Sequence, residues 1–149
     1  MTVDVITRTE IDRPRAEVAA YVSDPDNATA WYENITSVRW ESSPPAKVGS
    51  RIAFTARFLG RELAYTYEVR EIRPDELFVM STAQGPFPME TTYSWEDTPA
   101  GGTRMTLRNC GRPTGFSRIT TPMLAAAMRR ANRKDLARLK AVLETSGAA

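Results

Sequence analysis

The chain has 149 residues, of which 42% are apolar and 26% charged, and its formal net charge is +2. This length and composition are typical of one globular domain, and so small a net charge gives no reason to expect nucleic acid as a partner. Histidine is absent and Cys110 is the single cysteine. These absences exclude histidine-dependent catalytic triads, most transition-metal sites and an intrachain disulfide.

The N-terminal residues lack the basic and apolar segments of a secretion signal, and no apolar run reaches the length of a membrane span. We therefore expect a cytoplasmic protein without a membrane partner. The sequence also lacks a phosphate-binding glycine loop of standard spacing. No cofactor and no metal are expected.

The first 34 residues predict one strand and two short helices. Val3–Ile11 alternates between apolar and polar positions, as a half-buried strand does. Asp12 and Pro14 then give start signals for a helix, and Asp24-Pro25 can end it and cap a second one. Apolar residues at helical spacing are Val18, Tyr21 and Val22 in the first helix and Ala28, Trp31 and Tyr32 in the second.

From residue 35 onward the apolar period changes to two, which is typical of β-strands. Six strands are predicted: Ile35–Glu41, Val48–Leu59, Glu62–Arg73, Leu77–Ala83, Phe87–Glu96 and Thr103–Cys110. Short connections, such as a tight turn at Gly60-Arg61, indicate an antiparallel meander. Strands grouped apart from helices predict an α+β fold in which the sheet curves around a helix.

A long C-terminal helix is predicted over Thr121–Glu144, because this stretch is rich in strong helix formers. Thr121 can cap its first turn, and Pro122 suits the first helical position. The helix would be about 35 Å long, and its apolar face needs a partner surface of that length. Its other face is basic, diluted by Asp135 and Glu144, and is interpreted as the solvated side. Residues 115–121 are predicted to form a kinked lead-in that gates a pocket.

Three segments, VGSRIAF (48–54), YEVREIRP (67–74) and GGTRMTL (101–107), together with the element order, resemble the START-like (SRPBCC) superfamily. The similarity is strongest to its polyketide cyclase/dehydrase-type branch. This resemblance implies a helix-grip fold, in which a curved antiparallel sheet wraps the C-terminal helix and leaves a hydrophobic cavity. Members bind lipids, sterols, polyketides or other apolar small molecules, and some catalyse cyclisation or dehydration. The resemblance implies a ligand class and leaves the presence of a reaction open.

The candidate ligand-binding residues are mainly aromatic and methionine side chains on the predicted inner faces, because small-molecule pockets are mostly apolar. The alternative is a filled core in which these side chains only pack. Asn109 is a candidate polar anchor, with a turn role before Gly111 as its alternative. The full set is Trp31, Phe54, Phe58, Tyr65, Tyr67, Met89, Tyr93, Trp95, Met105, Asn109, Met123, Ala127 and Met128.

Catalytic residues stay unassigned, because without histidine a proton carrier must be Glu, Asp, Tyr or water, and no arrangement marks one out. Strand alternation places Glu90 on the outer face and Glu71 on the inner face. The favoured hypothesis is a monomer or homodimer that binds a hydrophobic small molecule. The alternatives are a polyketide cyclase or dehydratase using Glu or Tyr, and a protein-interaction module using the basic helix face around Arg129, Arg130 and Arg133.

Overall fold

The structure, a computed structural model, describes residues 2–114, 116 and 119–146. Its elements follow the predicted order, with a single 3₁₀ turn added before the second helix. They are β1 (Val3–Ile11), α1 (Arg15–Val22), the 3₁₀ turn (Pro25–Asn27), α2 (Ala28–Trp31), β2 (Ile35–Trp40), β3 (Arg51–Phe58), β4 (Arg61–Arg73), β5 (Leu77–Gln84), β6 (Met89–Asp97), β7 (Thr103–Gly111) and α3 (Thr121–Ser146).

The seven strands form one antiparallel sheet in the order β1-β7-β6-β5-β4-β3-β2. Strands β2 to β7 are a meander of neighbours in sequence, whereas β1 pairs with β7 along its whole length, from Val3 opposite Gly111 to Ile11 opposite Thr103. The short helices therefore carry the chain from one sheet edge to the other. The sheet curls as a half-barrel around α3, which confirms the predicted α+β helix-grip fold.

Helix α3 is fixed to the sheet at its C-terminal end. Arg13, just after β1, donates hydrogen bonds to the carbonyl oxygens of Leu143 (3.1 Å) and Glu144 (2.8 Å). Lys140 Nζ donates to the carbonyl oxygen of Glu10 at 2.8 Å. These bonds place the last turns of α3 beside the end of β1, so the N-terminal half of α3 lies towards the opposite end of the sheet.

The β3–β4 turn differs by one residue from its prediction. Leu59 (φ 51°) and Gly60 (φ 77°) form it, and Arg61 already belongs to β4. Positive φ at both central positions is the pattern of a type I′ hairpin turn, so Leu59 adopts a backbone conformation that usually favours glycine or asparagine.

The prediction that Glu71 lies on the inner face of the sheet is wrong. A bulge between Val69 and Glu71 inserts one residue into the β4–β5 register, and the alternation of faces shifts by one. Ile72 consequently packs against the core, while Glu71 lies on the outer side and accepts a hydrogen bond from Arg73 at 2.8 Å. Glu90 is exposed, as strand alternation predicts.

The start of β3 and the capping residue of α3 also differ from the prediction. β3 begins at Arg51 and not at Val48, because Gly49 turns the chain with φ 93° and Val48 is 60% exposed. At α3, the backbone N–H of Met123 donates to Thr120 Oγ1 (3.3 Å), so Thr120, not Thr121, caps the helix. The predicted gating lead-in includes residues 115, 117 and 118, which lie outside the described residues. Among the described helices, none is long and apolar enough to cross a membrane.

Candidate functional site

A cavity of about 170 Å³ lies between the concave face of the sheet and the N-terminal half of α3. Its wall is mostly aromatic and aliphatic. The sheet contributes inward-facing residues of β3 to β7, the opposite wall comes from α2 and α3, and the segment after β7 contributes Pro113 and Phe116. Because the inner face of each strand repeats every second residue, five neighbouring strands place their apolar side chains on one surface.

Nine of the thirteen candidate residues line this cavity: Trp31, Phe54, Phe58, Tyr65, Tyr67, Met89, Tyr93, Asn109 and Met128. Several of their rings pack against each other. Phe54 stacks on Tyr65 with centroids 5.8 Å apart, and Trp31 meets Tyr93 edge-on at 5.9 Å. Contact with a ligand stays a prediction for each of them.

The other four candidates lie elsewhere. Trp95 and Met105 are paired across β6 and β7, and both are fully inside the core near the end of the sheet to which the last turns of α3 are fixed. Met123 is 60% exposed, and Ala127 follows it on the same flank of α3. The stripe that meets the cavity instead passes through Leu124, Met128, Ala131, Asn132 and Asp135.

A chain of hydrogen bonds crosses the sheet side of the cavity. Thr91 Oγ1 donates to Asn109 Oδ1 at 2.8 Å, and the Tyr67 hydroxyl lies 3.1 Å from the same Thr91 oxygen. Since threonine has a single hydroxyl proton, Tyr67 must be the donor to Thr91. Burial raises the pKa of Tyr67 to about 12, so this phenol is neutral near pH 7.

A second polar group consists of Tyr32 and Tyr93, whose hydroxyl oxygens are 2.8 Å apart. Burial raises the pKa of both phenols well above the usual value, so both keep their protons near neutral pH. The bond between them uses one of the two hydroxyl protons. The other proton of this pair can be donated to an acceptor in the cavity.

Asp135 is the one carboxylic acid among the described lining residues, and it is 2% exposed. Its Oδ1 accepts a hydrogen bond from the backbone N–H of Glu33 at 3.1 Å. Burial raises the pKa of this carboxyl group to about 6, and the hydrogen bond from Glu33 opposes that rise only in part. One turn earlier on α3, Asn132 is 6% exposed and its Nδ2 has no hydrogen-bond partner in the described structure.

The interpretation of Asp135 as part of the solvated basic face is therefore wrong. The sequence held one signal for an inner position, because Asp135 lies four residues before Leu139 and seven after Met128, the spacing of the apolar stripe itself. Asn132 follows Met128 by four residues and was missed for the same reason. The charge of Asp135 and the polarity of Asn132 favour the surface, although helical spacing places both residues on the apolar stripe.

The basic residues Arg130, Arg133 and Lys134 are exposed on the solvent side of α3, and their use as an interaction surface stays a prediction. In the described part of the chain, no group of three or more Cys, Asp or Glu side chains is placed to hold a metal ion.

Comparisons with known proteins agree with this architecture. A family model described as "Polyketide cyclase / dehydrase and lipid transport" matches residues 2–144. No curated protein matches the chain. Solved structures with the same fold include TTHA0849 of Thermus thermophilus, at 16% identity and a TM-score of 0.83 over 98% of this chain and 99% of that chain.

Two further structures are similar in fold. A START superfamily protein of Mycobacterium smegmatis has 14% identity and a TM-score of 0.82 over 95% of this chain and 97% of that one. The Zhui aromatase/cyclase of a Streptomyces species has 14% identity and a TM-score of 0.80 over 100% and 98%. At these identities the similarity extends to the fold alone.

Proposed function

Because this chain belongs to the polyketide cyclase/dehydrase and lipid transport family, we propose that it binds an apolar small molecule in the cavity between the sheet and α3. Family membership and fold support hydrophobic ligand binding in general. The observation that carries the specific proposal is the cavity itself, an aromatic-lined space with polar groups confined to a few points. This distribution is the usual one for ligand sites, where apolar walls supply affinity and a few polar groups fix orientation.

The volume limits the size of the ligand. A cavity of about 170 Å³ is close to the roughly 150 Å³ of an engineered apolar cavity that takes up benzene. A ligand about the size of one substituted aromatic ring therefore fits this space. A longer lipid or a multi-ring ligand would extend beyond this space.

The test is a titration of ¹⁵N-labelled protein with ethylbenzene, indole, naphthalene and decanoic acid, followed by amide chemical shifts. Saturable shifts at cavity residues with at least one of the ring compounds are expected. The variant Ala131→Phe places a ring in the cavity and is expected to weaken that binding at least tenfold, since the added side chain occupies the ligand's volume. Ala126→Phe, on the exposed side of the same helix, is the matched control and is expected to bind normally.

Two results would contradict the proposal. Absence of saturable binding for all four compounds removes the ligand-binding function. Binding that survives Ala131→Phe unchanged, while Ala126→Phe reduces it, moves the site away from the cavity.

A second candidate function is proton transfer on a bound carbonyl compound, and Asp135 is the observation that favours it. A carboxyl group with its pKa near 6 carries or accepts a proton efficiently near neutral pH. Asp135 also lies close enough to Tyr32 and Tyr93 for its charge to raise the pKa of both hydroxyls. The expected use of a glutamate has no support, since the described lining contains none.

In this second function the Asp135 carboxylate removes a proton from the carbon next to the carbonyl, and a tyrosine hydroxyl donates a hydrogen bond to the enolate oxygen that forms. Return of the proton restores both molecules. Exchange of the α-hydrogens of acetophenone in D₂O, measured by proton NMR, should accelerate as the pH rises through about 6. Asp135→Asn should abolish the acceleration, and retention of it in that variant would refute this role.

A further inference from the structure

The cavity contains a hydrogen-bond donor that the described protein leaves unused. Asn132 is 6% exposed, lines the cavity, and its Nδ2 has no partner. Buried amide donors are almost always paired, because an amide that has left water without a partner loses its hydrogen-bond energy. An apolar ligand alone would leave this donor unpaired, so the geometry favours a ligand with an acceptor atom at Asn132.

The neighbouring groups restrict the charge of that ligand. Asp135 lies three residues further along α3, and its carboxylate is ionised above about pH 6. None of the described lining residues is a lysine or arginine. An anionic ligand would meet a negative charge and no positive partner in a buried space, where charge repulsion is strong. A fatty-acid carboxylate or a phosphate is therefore disfavoured.

A second hydrogen-bond donor and the shape of the cavity walls also restrict the ligand. The hydroxyl pair of Tyr32 and Tyr93 has one proton outside its mutual bond, so it too favours an acceptor. The aromatic walls formed by Phe54, Tyr65 and Trp31 suit a flat ring. A ketone or aldehyde oxygen has two lone pairs and no charge, and it can accept from two such donors at once.

We propose that Asn132 is the specificity-determining residue of this cavity and that it selects a small, neutral aromatic ketone or aldehyde by donating from Nδ2 to the carbonyl oxygen. This inference rests on the proposed binding function and names the ligand class. Asp135 contributes by excluding anions.

The experiment compares three probes of nearly equal size: acetophenone, ethylbenzene and benzoate. Their dissociation constants are measured at pH 8.0 by amide chemical shifts, for the wild type and for Asn132→Leu, which keeps the size of the side chain but removes its polar atoms. Leu136→Met, one turn after Asn132 on α3, changes a buried side chain that does not line the cavity and is the control for altered packing of this helix.

The wild type is expected to bind acetophenone at least as tightly as ethylbenzene, although ethylbenzene is more hydrophobic, and to bind benzoate most weakly. In Asn132→Leu the preference for acetophenone over ethylbenzene should fall at least fivefold, because only the ketone loses a partner. Leu136→Met should leave that preference unchanged.

The outcomes separate the two proposals. If no probe binds, the proposed function fails. If ethylbenzene binds but is clearly preferred over acetophenone, if benzoate binds best, or if Asn132→Leu changes the preference less than fivefold, binding stands and the carbonyl selection is overturned. Should Asn132→Leu fail to fold, the wild-type ranking of the three probes decides the question.

Discussion

Replacing Asp135 by asparagine tests whether the folded protein pays a cost for burying this carboxyl group. Burial raises its pKa from 3.8 to about 6. Between these two values the folded state binds a proton that the unfolded chain has released, so stability falls as the pH rises through this window. The shift of about two pKa units corresponds to a loss of about 3 kcal/mol above pH 6, at about 1.4 kcal/mol per unit.

Asparagine keeps an oxygen that can accept the hydrogen bond from the backbone N–H of Glu33, but it cannot ionise. We therefore expect Asp135→Asn to be about 2–3 kcal/mol more stable than the wild type at pH 8, and nearly equal to it at pH 4, where the wild-type carboxyl group is largely protonated in the folded state. The gain should appear mainly between pH 4 and pH 6.

Urea unfolding followed by tryptophan fluorescence at pH 4, 6 and 8 measures this difference directly. Glu90→Gln removes an exposed carboxylate from the outer face of β6 and is the matched control for the loss of a surface charge. The reasoning is refuted if Asp135→Asn is less stable than the wild type at pH 8, or if its gain is as large at pH 4 as at pH 8.

Three other predictions concern the scaffold. Arg13→Ala should lower the free energy of unfolding by about 1–3 kcal/mol, because two carbonyl oxygens in the last turns of α3 lose a charged donor. Arg13→Lys should recover part of this loss in urea unfolding. If the two variants lose equal stability, the hydrogen bonds of Arg13 to α3 do not stabilise the fold as argued. Leu139→Ala, at a fully buried position, should cost about 2–5 kcal/mol, whereas Leu59→Ala at the exposed hairpin tip should cost far less by the same measurement. Hydrogen bonds from Arg108 hold the pKa of Asp4 below its usual value. Arg108→Gln should therefore raise the pKa of Asp4 in a carboxyl NMR titration. An unchanged pKa would show that the pair of Arg108 and Asp4 is not formed in solution.

The sequence alone was sufficient to predict the architecture. The limits of β1 were predicted without error, and the other strands and α3 within a few residues, because side-chain period is a local property that each segment carries by itself. Period two over residues 35–110 and period 3.6 over the C-terminal stretch leave few arrangements that bury both apolar faces. The curved sheet around one helix is the arrangement that does so.

The tertiary structure decided which inward-facing residues line a cavity and which fill a core. Trp95 and Tyr93 share a face of β6, yet only Tyr93 reaches the cavity, because the last turns of α3 are fixed at the end of the sheet nearer Trp95. Alternation determines the face of a strand and carries no information on how close the opposite wall is. The distance between two elements depends on contacts such as those of Arg13, which join residues far apart in the chain.

Sequence pattern was equally insufficient to place the polar groups of the site. Helical spacing places Asp135 and Asn132 on the apolar stripe, whereas their polarity favours the surface. Only the packing of α3 against the sheet determined that both are buried. A buried acid and an unpaired amide are costly in isolation. On our proposal a bound carbonyl compound gives the Asn132 amide its partner, whereas Asp135 accepts the hydrogen bond of the Glu33 backbone N–H.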